Sequence, residues 1–264
     1  MTEVAAGTTA IVLAAGKGTR MKSELPKVLF PVLGKPMIHW VIDALEGAGI
    51  RRIVVVVGYR ADDVRAELAK RPKSPEGAEL EFALQEQQLG TGHAVQMCVP
   101  LLQAQTSAQG PVLVLAGDSP LVQTSSISEL LAAFREGKYA CLLGTLLKDN
   151  PEGLGRIVRD TSGHFQKIVE HKDATQEQRA IREVNMSTYV FDKSRLISAL
   201  GQLSNNNSQS EYYLTDCPAI LLRAGDRVDA LATLKSCEAL SINTIDELAA
   251  VENKMKELGY PCVS

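Results

Sequence analysis

Short runs of β-branched and aliphatic residues alternate with helix-period segments from the start of the chain to about Leu146. The runs predict strands, and these are Ala10–Ala14, Ile53–Val57, Leu80–Leu84, Val112–Ala116 and Ala140–Leu146. They are almost continuously apolar, which is typical of strands buried on both faces. The alternation predicts a doubly wound α/β fold, with a mostly parallel sheet and helices on both of its faces.

Apolar residues at helical spacing define two of the intervening helices. One face consists of Met37, Ile38, Val41, Ile42 and Leu45, and the other of Ile127, Leu130, Leu131 and Phe134. The sequence Ser126-Ile-Ser-Glu129 predicts a capping box at the start of the second helix. Thr244-Ile-Asp-Glu247 predicts the same device for a helix near the end of the chain.

Turn-forming residues become frequent after Lys148, which indicates a smaller, β-rich lobe. A hairpin is predicted from Arg156–Arg159 and Phe165–Glu170, and a last strand lies near Val228–Thr233. We therefore expect a single domain over 1–264. It would comprise a first half at about 9–147, the lobe at about 148–233 and a C-terminal segment at about 234–264.

Composition excludes several classes of protein. There are 28 Lys and Arg against 31 Asp and Glu, and the net charge of −3 gives no positive field for nucleic acid or an anionic membrane. The five cysteines are far apart and odd in number, which argues against a disulfide framework or a zinc knuckle. No signal or membrane segment is evident at the start, so we expect a cytoplasmic protein.

The clearest local signal is the segment from Leu13 to Arg20, because it follows the first strand with small residues and free backbone N–H groups. It is a candidate phosphate-binding loop. It lacks the Gly-Lys-Ser/Thr ending of a P-loop, and Met21 replaces the third glycine of a dinucleotide fingerprint. By itself the segment is equally compatible with an ordinary glycine turn.

Two cationic side chains, one at the end of this loop and one after it, are candidates for binding a polyphosphate. Arg20 ends the loop, and Lys27 lies in Leu25-Pro-Lys-Val-Leu29, where proline stiffens the approach. Taken alone, each is more simply interpreted as a solvated surface charge.

Gln85 ends a predicted strand, and the sequence Leu89-Gly-Thr-Gly-His-Ala94 leads into a helix. A glutamine amide can read the edge of a base, and glycines permit close approach. The pattern suits nucleobase recognition, although a strand-to-helix turn with a capping threonine explains it equally well. His93 has no metal-ligand spacing to another histidine and is interpreted as structural.

Asp118 follows another buried strand, at the edge where open α/β sheets bind ligands. Hard cations take oxygen ligands, so Asp118 is the first candidate for binding magnesium. Aspartate in a turn before proline is also common for conformational reasons alone.

Six motifs in this order resemble the sugar-nucleotide pyrophosphorylases, from about Thr9 to about Glu252. They are Leu13-Ala-Ala-Gly-Lys-Gly-Thr-Arg-Met21, Leu25-Pro-Lys-Val-Leu29, Gln88-Leu-Gly-Thr-Gly-His-Ala94, Gly155-Arg-Ile157, Ile168-Val-Glu-His-Lys-Asp-Ala-Thr175, and Asn205-Asn-Asn207 with Glu211-Tyr-Tyr213. Within the family, the chain is most similar to the uridylyltransferase domain of bacterial bifunctional enzymes that make UDP-N-acetylglucosamine. Those enzymes continue into a hexapeptide-repeat acetyltransferase domain. No such repeat is present here, so acetyl transfer is not expected of this polypeptide.

The resemblance implies a Rossmann-like nucleotidyltransferase fold, with a nucleotide-binding first half and a sugar-binding lobe. It implies Mg2+ as cofactor and UTP and a sugar 1-phosphate as substrates. Arg20 and Lys27 match the catalytic phosphate-binding pair, and Asp118 and Asn243 match the metal ligands. The implied nucleotide-binding residues are Leu13, Ala14, Ala15, Gly16, Gly18, Gln85, Gly90 and Thr91, and the implied sugar-binding residues are Gly155, Glu170 and Asn185.

Three family motifs are altered in this chain. The family's Tyr-Gly-Asp is Ala116-Gly-Asp118, its Asn-Thr-Gly is Asn185-Met-Ser187, and its Val-Asn-Asn is Ile242-Asn-Thr244. The expected reaction is transfer of uridylyl from UTP to N-acetylglucosamine 1-phosphate, releasing pyrophosphate. The altered motifs leave two alternatives, which are a uridylyltransferase for another hexose 1-phosphate and a nucleotide-sugar binding protein without turnover.

Overall fold

The computed structural model describes residues 4–21, 23–72, 77–104, 110–240, 242 and 244–262. The strands are β1 Thr9–Ala14, β2 Pro31–Val32, β3 Lys35–Pro36, β4 Arg52–Val57, β5 Glu79–Leu84, β6 Val112–Ala116, β7 Cys141–Leu147, β8 Gly155–Arg159, β9 Phe165–Val169, β10 Glu183–Phe191 and β11 Val228–Leu231. The α-helices are α1 Met37–Gly47, α2 Ala61–Ala69, α3 Thr91–Gln96, α4 Val99–Ala104, α5 Thr124–Gly137, α6 Gln176–Arg179, α7 Lys193–Leu200, α8 Cys217–Arg223 and α9 Ile245–Glu257. Each strand predicted from the sequence is confirmed to within two residues at either end.

The main sheet has the strand order β11-β7-β10-β6-β1-β4-β5. β1 pairs in parallel with β4 and β6, β4 with β5, and β7 with β11. The sequence pattern did not predict β10, which lies antiparallel between β6 and β7. The hairpin of β8 and β9 leaves the sheet through a short pairing with β10. The sheet is thus mixed but mostly parallel.

Two apolar layers cover the sheet, because successive strand residues point to opposite faces. Ile11, Val54 and Val114 belong to the layer that contains buried residues of α3, α4, α7 and α8. Val12, Val55 and Leu113 belong to the layer under α1, α2 and α5. Helices on both faces of a mostly parallel sheet confirm the predicted α/β class.

The predicted lobe boundaries at about 148 and 233 are not visible as a break in the sheet. β10 and β11 both come from this range and both belong to the main sheet. Among the described residues of this range, β8 and β9 are the strands that lie off the main strand order. The division into a nucleotide half, a sugar lobe and a C-terminal segment therefore stays a prediction about function.

None of the helices in the described part of the chain is long and apolar enough to span a bilayer.

The predicted capping box at Ser126 is wrong, whereas Thr244 does cap α9 by accepting a hydrogen bond from the Glu247 N–H. α5 begins at Thr124, so Ser126 lies inside its first turn. The Ser126 hydroxyl donates to the buried carboxylate of Glu238 at 2.6 Å, and Gln123 N–H donates to the same group at 3.0 Å. Glu238, far away in sequence, thus takes the place of the predicted local cap and fastens the C-terminal segment to α5.

We expect Glu238→Ala to lower the free energy of unfolding by about 3 kcal/mol, because it leaves the buried Ser126 hydroxyl and the Gln123 N–H without their charged acceptor. Glu238→Gln keeps one acceptor oxygen and should cost less. Urea unfolding of both variants measures the difference. A Glu238→Ala protein as stable as the wild type would contradict this role.

Candidate active site

The carboxyl ends of β1, β4, β5 and β6 meet at one edge of the sheet. The chain runs from β1 outward through β4 to β5 and then returns to β6 on the other side of β1. Such a switch in direction opens a crevice beyond the strand ends, where α/β proteins of this type bind ligands. Gly16, Gln85 and Asp118 all follow strands that end at this edge.

The glycine loop, Leu13 to Arg20, is anchored to neighbouring segments through two of its backbone carbonyls. Ala15 O accepts hydrogen bonds from Tyr59 N–H at 3.0 Å and from Gln88 Nε2 at 2.9 Å. Leu13 O accepts from Gly117 N–H at 2.9 Å. Gly16 is exposed, and no atom lies within 4 Å of where its Cβ would be. The loop is therefore anchored on one side and open on the other, as binding of a phosphate requires.

Gly18 brings the loop against Lys27. Its φ of +64° lies in the left-handed region that favours glycine. A Cβ at this position would stand 2.6 Å from Cβ of Lys27, closer than any two such atoms pack. Both the backbone conformation and the contact thus require glycine here.

Lys27 and Asp118 form an ion pair in the crevice. Nζ of Lys27 lies 2.6 Å from Oδ2 of Asp118, and the two side chains are 12% and 30% exposed. The pair joins the loop after β1 to the turn after β6. It places one cation and one carboxylate beside the predicted phosphate site.

Gln85 lies 4% exposed at the end of β5. Its Nε2 donates to Gly90 O at 3.0 Å and lies 3.1 Å from His93 Nδ1. Thr91 begins α3, and its hydroxyl accepts from Leu214 N–H at 3.2 Å. The three predicted base-site residues Gln85, Gly90 and Thr91 are thus neighbours.

Gly90 and Gly92 are pressed against Tyr212. Gly92 N–H donates to Tyr212 O at 2.7 Å, and Tyr212 N–H donates to Leu89 O at 2.8 Å. A Cβ on Gly90 would lie 2.6 Å from Tyr212 O, and one on Gly92 would lie 2.8 Å from it. Gly90 also has a φ of +108°. The motif of Glu211-Tyr-Tyr213 therefore supports the segment that carries the predicted base site.

Gly155 and Asn185 lie opposite each other on β8 and β10. Asn185 is 5% exposed, donates through Nδ2 to the Tyr189 hydroxyl at 2.7 Å and accepts from Ser187 N–H at 3.2 Å. These bonds leave one N–H and one oxygen lone pair of the amide for a ligand. Ser187 has a φ of +53° beside the register shift in β10, which explains why the family has glycine at this position.

Glu170 lies beside this pair and accepts a hydrogen bond from the Thr215 hydroxyl at 3.1 Å. Burial raises the pKa of the Glu170 carboxyl above its ordinary value, against the effect of the Thr215 hydrogen bond. The carboxylates of Asp173, Asp216 and Glu211 add to the increase. A partly buried carboxylate among other acids is costly to the free protein, and a bound polyol would supply the donors that it lacks.

We expect Glu170→Gln to raise the free energy of unfolding at neutral pH by about 0.5–1 kcal/mol. The pKa of the carboxyl is raised in the folded state, so its cost appears as pH rises from the unfolded pKa through the folded one and persists above it. The gain should therefore vanish in acid. Urea unfolding against pH tests this, with the exposed Glu152→Gln as control. A gain of equal size at all pH values would contradict it.

A cavity of about 480 Å3 connects the glycine loop with the Glu170 region. It is lined by Arg20, Gly153, Glu170, His171, Lys172 and Gln209. Arg20 thus reaches the same space as Glu170, although the two are far apart in sequence. Asn243, the predicted second metal ligand, lies outside the described residues.

Tyr59 and Thr215 were not predicted as site residues, and Gln88 was quoted only as the first residue of a motif, yet all three support the site. Tyr59 follows Val57-Gly58 at the end of a strand, which is the same signal that identified Gln85 and Asp118. Gln88 and Thr215 act through contacts between distant segments, Gln88 to Ala15 and Thr215 to Glu170. No local pattern reports such contacts.

Known proteins resemble this chain in sequence and in structure. A family model described as "MobA-like NTP transferase domain" matches residues 10–209. "Bifunctional protein GlmU" of Geobacillus thermodenitrificans (strain NG80-2) is 43% identical over 248 residues, which are 94% of this chain and 52% of the relative. The protein of the same name from Thermoanaerobacter pseudethanolicus (strain ATCC 33223 / 39E) is 43% identical over 252 residues, 95% of this chain and 52% of the relative. The chain spans about half the length of these curated relatives.

The crystal structure of UDP-glucose pyrophosphorylase complexed with UDP-glucose superimposes with a TM-score of 0.74 at 15% sequence identity, covering 95% of this chain and 99% of that chain. This likeness confirms the Rossmann-like nucleotidyltransferase fold. The similarity in sequence confirms the resemblance inferred from the six motifs. With a family model that covers most of its length, the chain belongs to the MobA-like NTP transferase domains.

Proposed function

We propose that this chain is a cytoplasmic uridylyltransferase that makes UDP-N-acetylglucosamine and pyrophosphate from UTP and N-acetylglucosamine 1-phosphate. The observation that carries the proposal is the Lys27–Asp118 pair beside the open glycine loop. A buried amide at Gln85 and a sugar-sized cavity next to Glu170 accompany it. The relatives named GlmU, which are 43% identical over the 248 aligned residues, support the proposal.

Asp118 fits the role of a ligand to Mg2+. Its carboxylate is partly exposed in the crevice, and carboxylate oxygen is the donor that this cation prefers. In the described part of the chain, no three side chains of His, Cys, Asp or Glu converge on one point. Mg2+ commonly takes one or two protein carboxylates and completes its shell with phosphates and water. Asp118, with Asn243 as the proposed second ligand, would hold it in this way.

The proposed reaction needs no nucleophile from the protein, because an oxygen of the sugar phosphate attacks the α-phosphorus of UTP in line with the leaving pyrophosphate. The bound cation would offset charge on the phosphates. Lys27 and Arg20 supply fixed positive charge for the transferring and leaving groups. The open loop at Gly16 supplies backbone N–H groups that donate to the phosphates. When the nucleotide binds, Lys27 moves from the carboxylate of Asp118 to a phosphate oxygen.

The remaining residues orient the two substrates. Gln85 and Gly90 are proposed to bind the uracil edge. Asn185, Glu170 and Gly155 are proposed to bind the amino sugar, with the free N–H of Asn185 and the carboxylate of Glu170 taking its polar groups. Holding both reactants in line accounts for a large share of catalysis in phosphoryl transfer.

Incubation of the chain with UTP, Mg2+ and N-acetylglucosamine 1-phosphate should yield UDP-N-acetylglucosamine, and excess EDTA should stop the reaction. With the sugar phosphate present, incorporation of labelled pyrophosphate into UTP separates an enzyme from a binding protein. Reversal of the transfer places the label in the β and γ phosphates of UTP, whereas a binding protein binds UTP without exchange. Absence of both turnover and exchange would refute the proposal.

We expect kcat/KM for N-acetylglucosamine 1-phosphate to exceed that for glucose 1-phosphate by about 10–200-fold. The polar groups at Glu170 and Asn185 are retained, whereas Ala116 in place of tyrosine changes the wall of the pocket. Measuring both sugars with wild type and with Ala116→Tyr tests this. A preference for glucose 1-phosphate would favour a different hexose substrate, and an unaltered ratio in the variant would remove Ala116 from the pocket wall.

A further inference from the structure

The side-chain amide of Gln85 has only one orientation compatible with its neighbours. The atom that faces Gly90 O at 3.0 Å must be the nitrogen, because a backbone carbonyl accepts hydrogen bonds and never donates them. The same nitrogen lies 3.1 Å from His93 Nδ1. Its second hydrogen is therefore donated to His93, and Nδ1 must carry a lone pair. His93 is then the neutral tautomer with its proton on Nε2.

The carbonyl oxygen of the amide is left as the one group of Gln85 available to a ligand. In the described part of the chain, no group donates a hydrogen bond to Oε1 of Gln85. Among the described residues, the fully buried side-chain polar atom that lacks a hydrogen bond is Thr8 Oγ1, so Oε1 of Gln85 is not fully buried. Oε1 thus keeps contact with solvent in a residue that is otherwise 4% exposed. Both amide hydrogens are engaged inside the protein, so Gln85 can meet a base only as an acceptor.

His93 is itself fixed in place. Its ring lies beside that of Tyr212, with centroids 6.4 Å apart. The backbone of Tyr212 is tied to both Leu89 and Gly92. The acceptor nitrogen is thus held by the same segment that supports Gly90.

We propose that His93 is a positioning residue that fixes the Gln85 amide with its oxygen toward the base, and so selects a base whose ring nitrogen carries a hydrogen. The inference rests on the proposed function. Uracil N3–H can donate to Oε1, whereas cytosine N3 bears a lone pair that the oxygen repels. Thymine carries the same N3–H, so this device separates UTP from CTP but not UTP from dTTP.

Dissociation constants for UTP, CTP and dTTP, measured by calorimetry, test the proposal without turnover, and kcat/KM for each nucleotide follows where turnover occurs. His93→Phe removes the acceptor and should lower the UTP-to-CTP preference about tenfold, through KM rather than kcat. His93→Asn places an amide oxygen near the position of Nδ1 and should keep the preference within about threefold. The ratio of UTP to dTTP should stay unchanged in both variants.

A folded His93→Phe protein with the wild-type preference, or a wild type that binds UTP and CTP equally, would overturn the proposal. If His93→Phe does not fold, the 15N shifts of the His93 ring in the wild type decide. A protonated Nε2 with a bare Nδ1 supports the proposal, and the opposite tautomer refutes it. Lack of uridylyl transfer by the wild type would refute the proposed function instead, and the binding and tautomer results would still stand.

Discussion

Replacing Asp118 by asparagine is expected to lower kcat by two or more decades, which corresponds to about 3 kcal/mol of transition-state stabilisation. The change keeps the shape of the side chain but removes the charge that we propose binds Mg2+. It also removes the anionic partner of Lys27. Steady-state kinetics over a range of Mg2+ concentrations measure the loss, and the Mg2+ concentration for half-maximal rate should rise.

Asp149→Asn is a matched control, because Asp149 is 95% exposed and its ion partner is Arg182 rather than Lys27. It should leave kcat and the dependence on Mg2+ unchanged. Near wild-type turnover of Asp118→Asn at saturating Mg2+ would remove Asp118 from the proposed metal site.

Lys27→Ala is expected to reduce kcat/KM by about 100- to 1,000-fold, the usual loss when one fixed donor to a transition-state charge is removed. Its effect on the metal should be opposite to that of Asp118→Asn. Nζ of Lys27 lies 2.6 Å from the carboxylate oxygen that a cation would use, so removing the ammonium removes a competitor. Less Mg2+ should then suffice for half-maximal rate.

The contrast between the two variants separates electrostatic competition from simple disruption of the site. Lys70→Ala serves as control, since Lys70 is 71% exposed and pairs with Glu67. If Lys27→Ala raised the requirement for Mg2+ as Asp118→Asn does, the ion pair would support the metal site rather than compete with it.

The strands of the sheet could be predicted because burial on both faces makes them continuously apolar, as in Ile53–Val57. β10 escaped prediction because its first half, Glu183 to Thr188, mixes polar residues with the packed Val184 and Met186, and its Asn185 belongs to the proposed sugar site. Its register shift and the left-handed Ser187 reflect that second role. Residues of the proposed site thus break the continuous apolar pattern from which the other strands were predicted.

The candidate site was partly predictable for a related reason. Gln85 and Asp118 stand at the ends of apolar strands, and topology brings such ends to one edge. The pairing of Lys27 with Asp118, the support of α5 by Glu238 and the contact of Gln85 with His93 depend on three-dimensional packing. Single-sequence patterns carry no record of these contacts, and His93 was accordingly interpreted as structural only.

The close fit of Gly90 and Gly92 against Tyr212 has a consequence for how this family can diversify. A chimaera that takes residues 205–215 from a relative replaces the backbone on which Gly90 of the proposed base site rests. We therefore expect the proposed nucleotide and sugar preferences to change together, because a change in the path of Tyr212 alters the position of Gly90. Exchange of residues 205–215 together with 85–93 should preserve activity better than exchange of either segment alone.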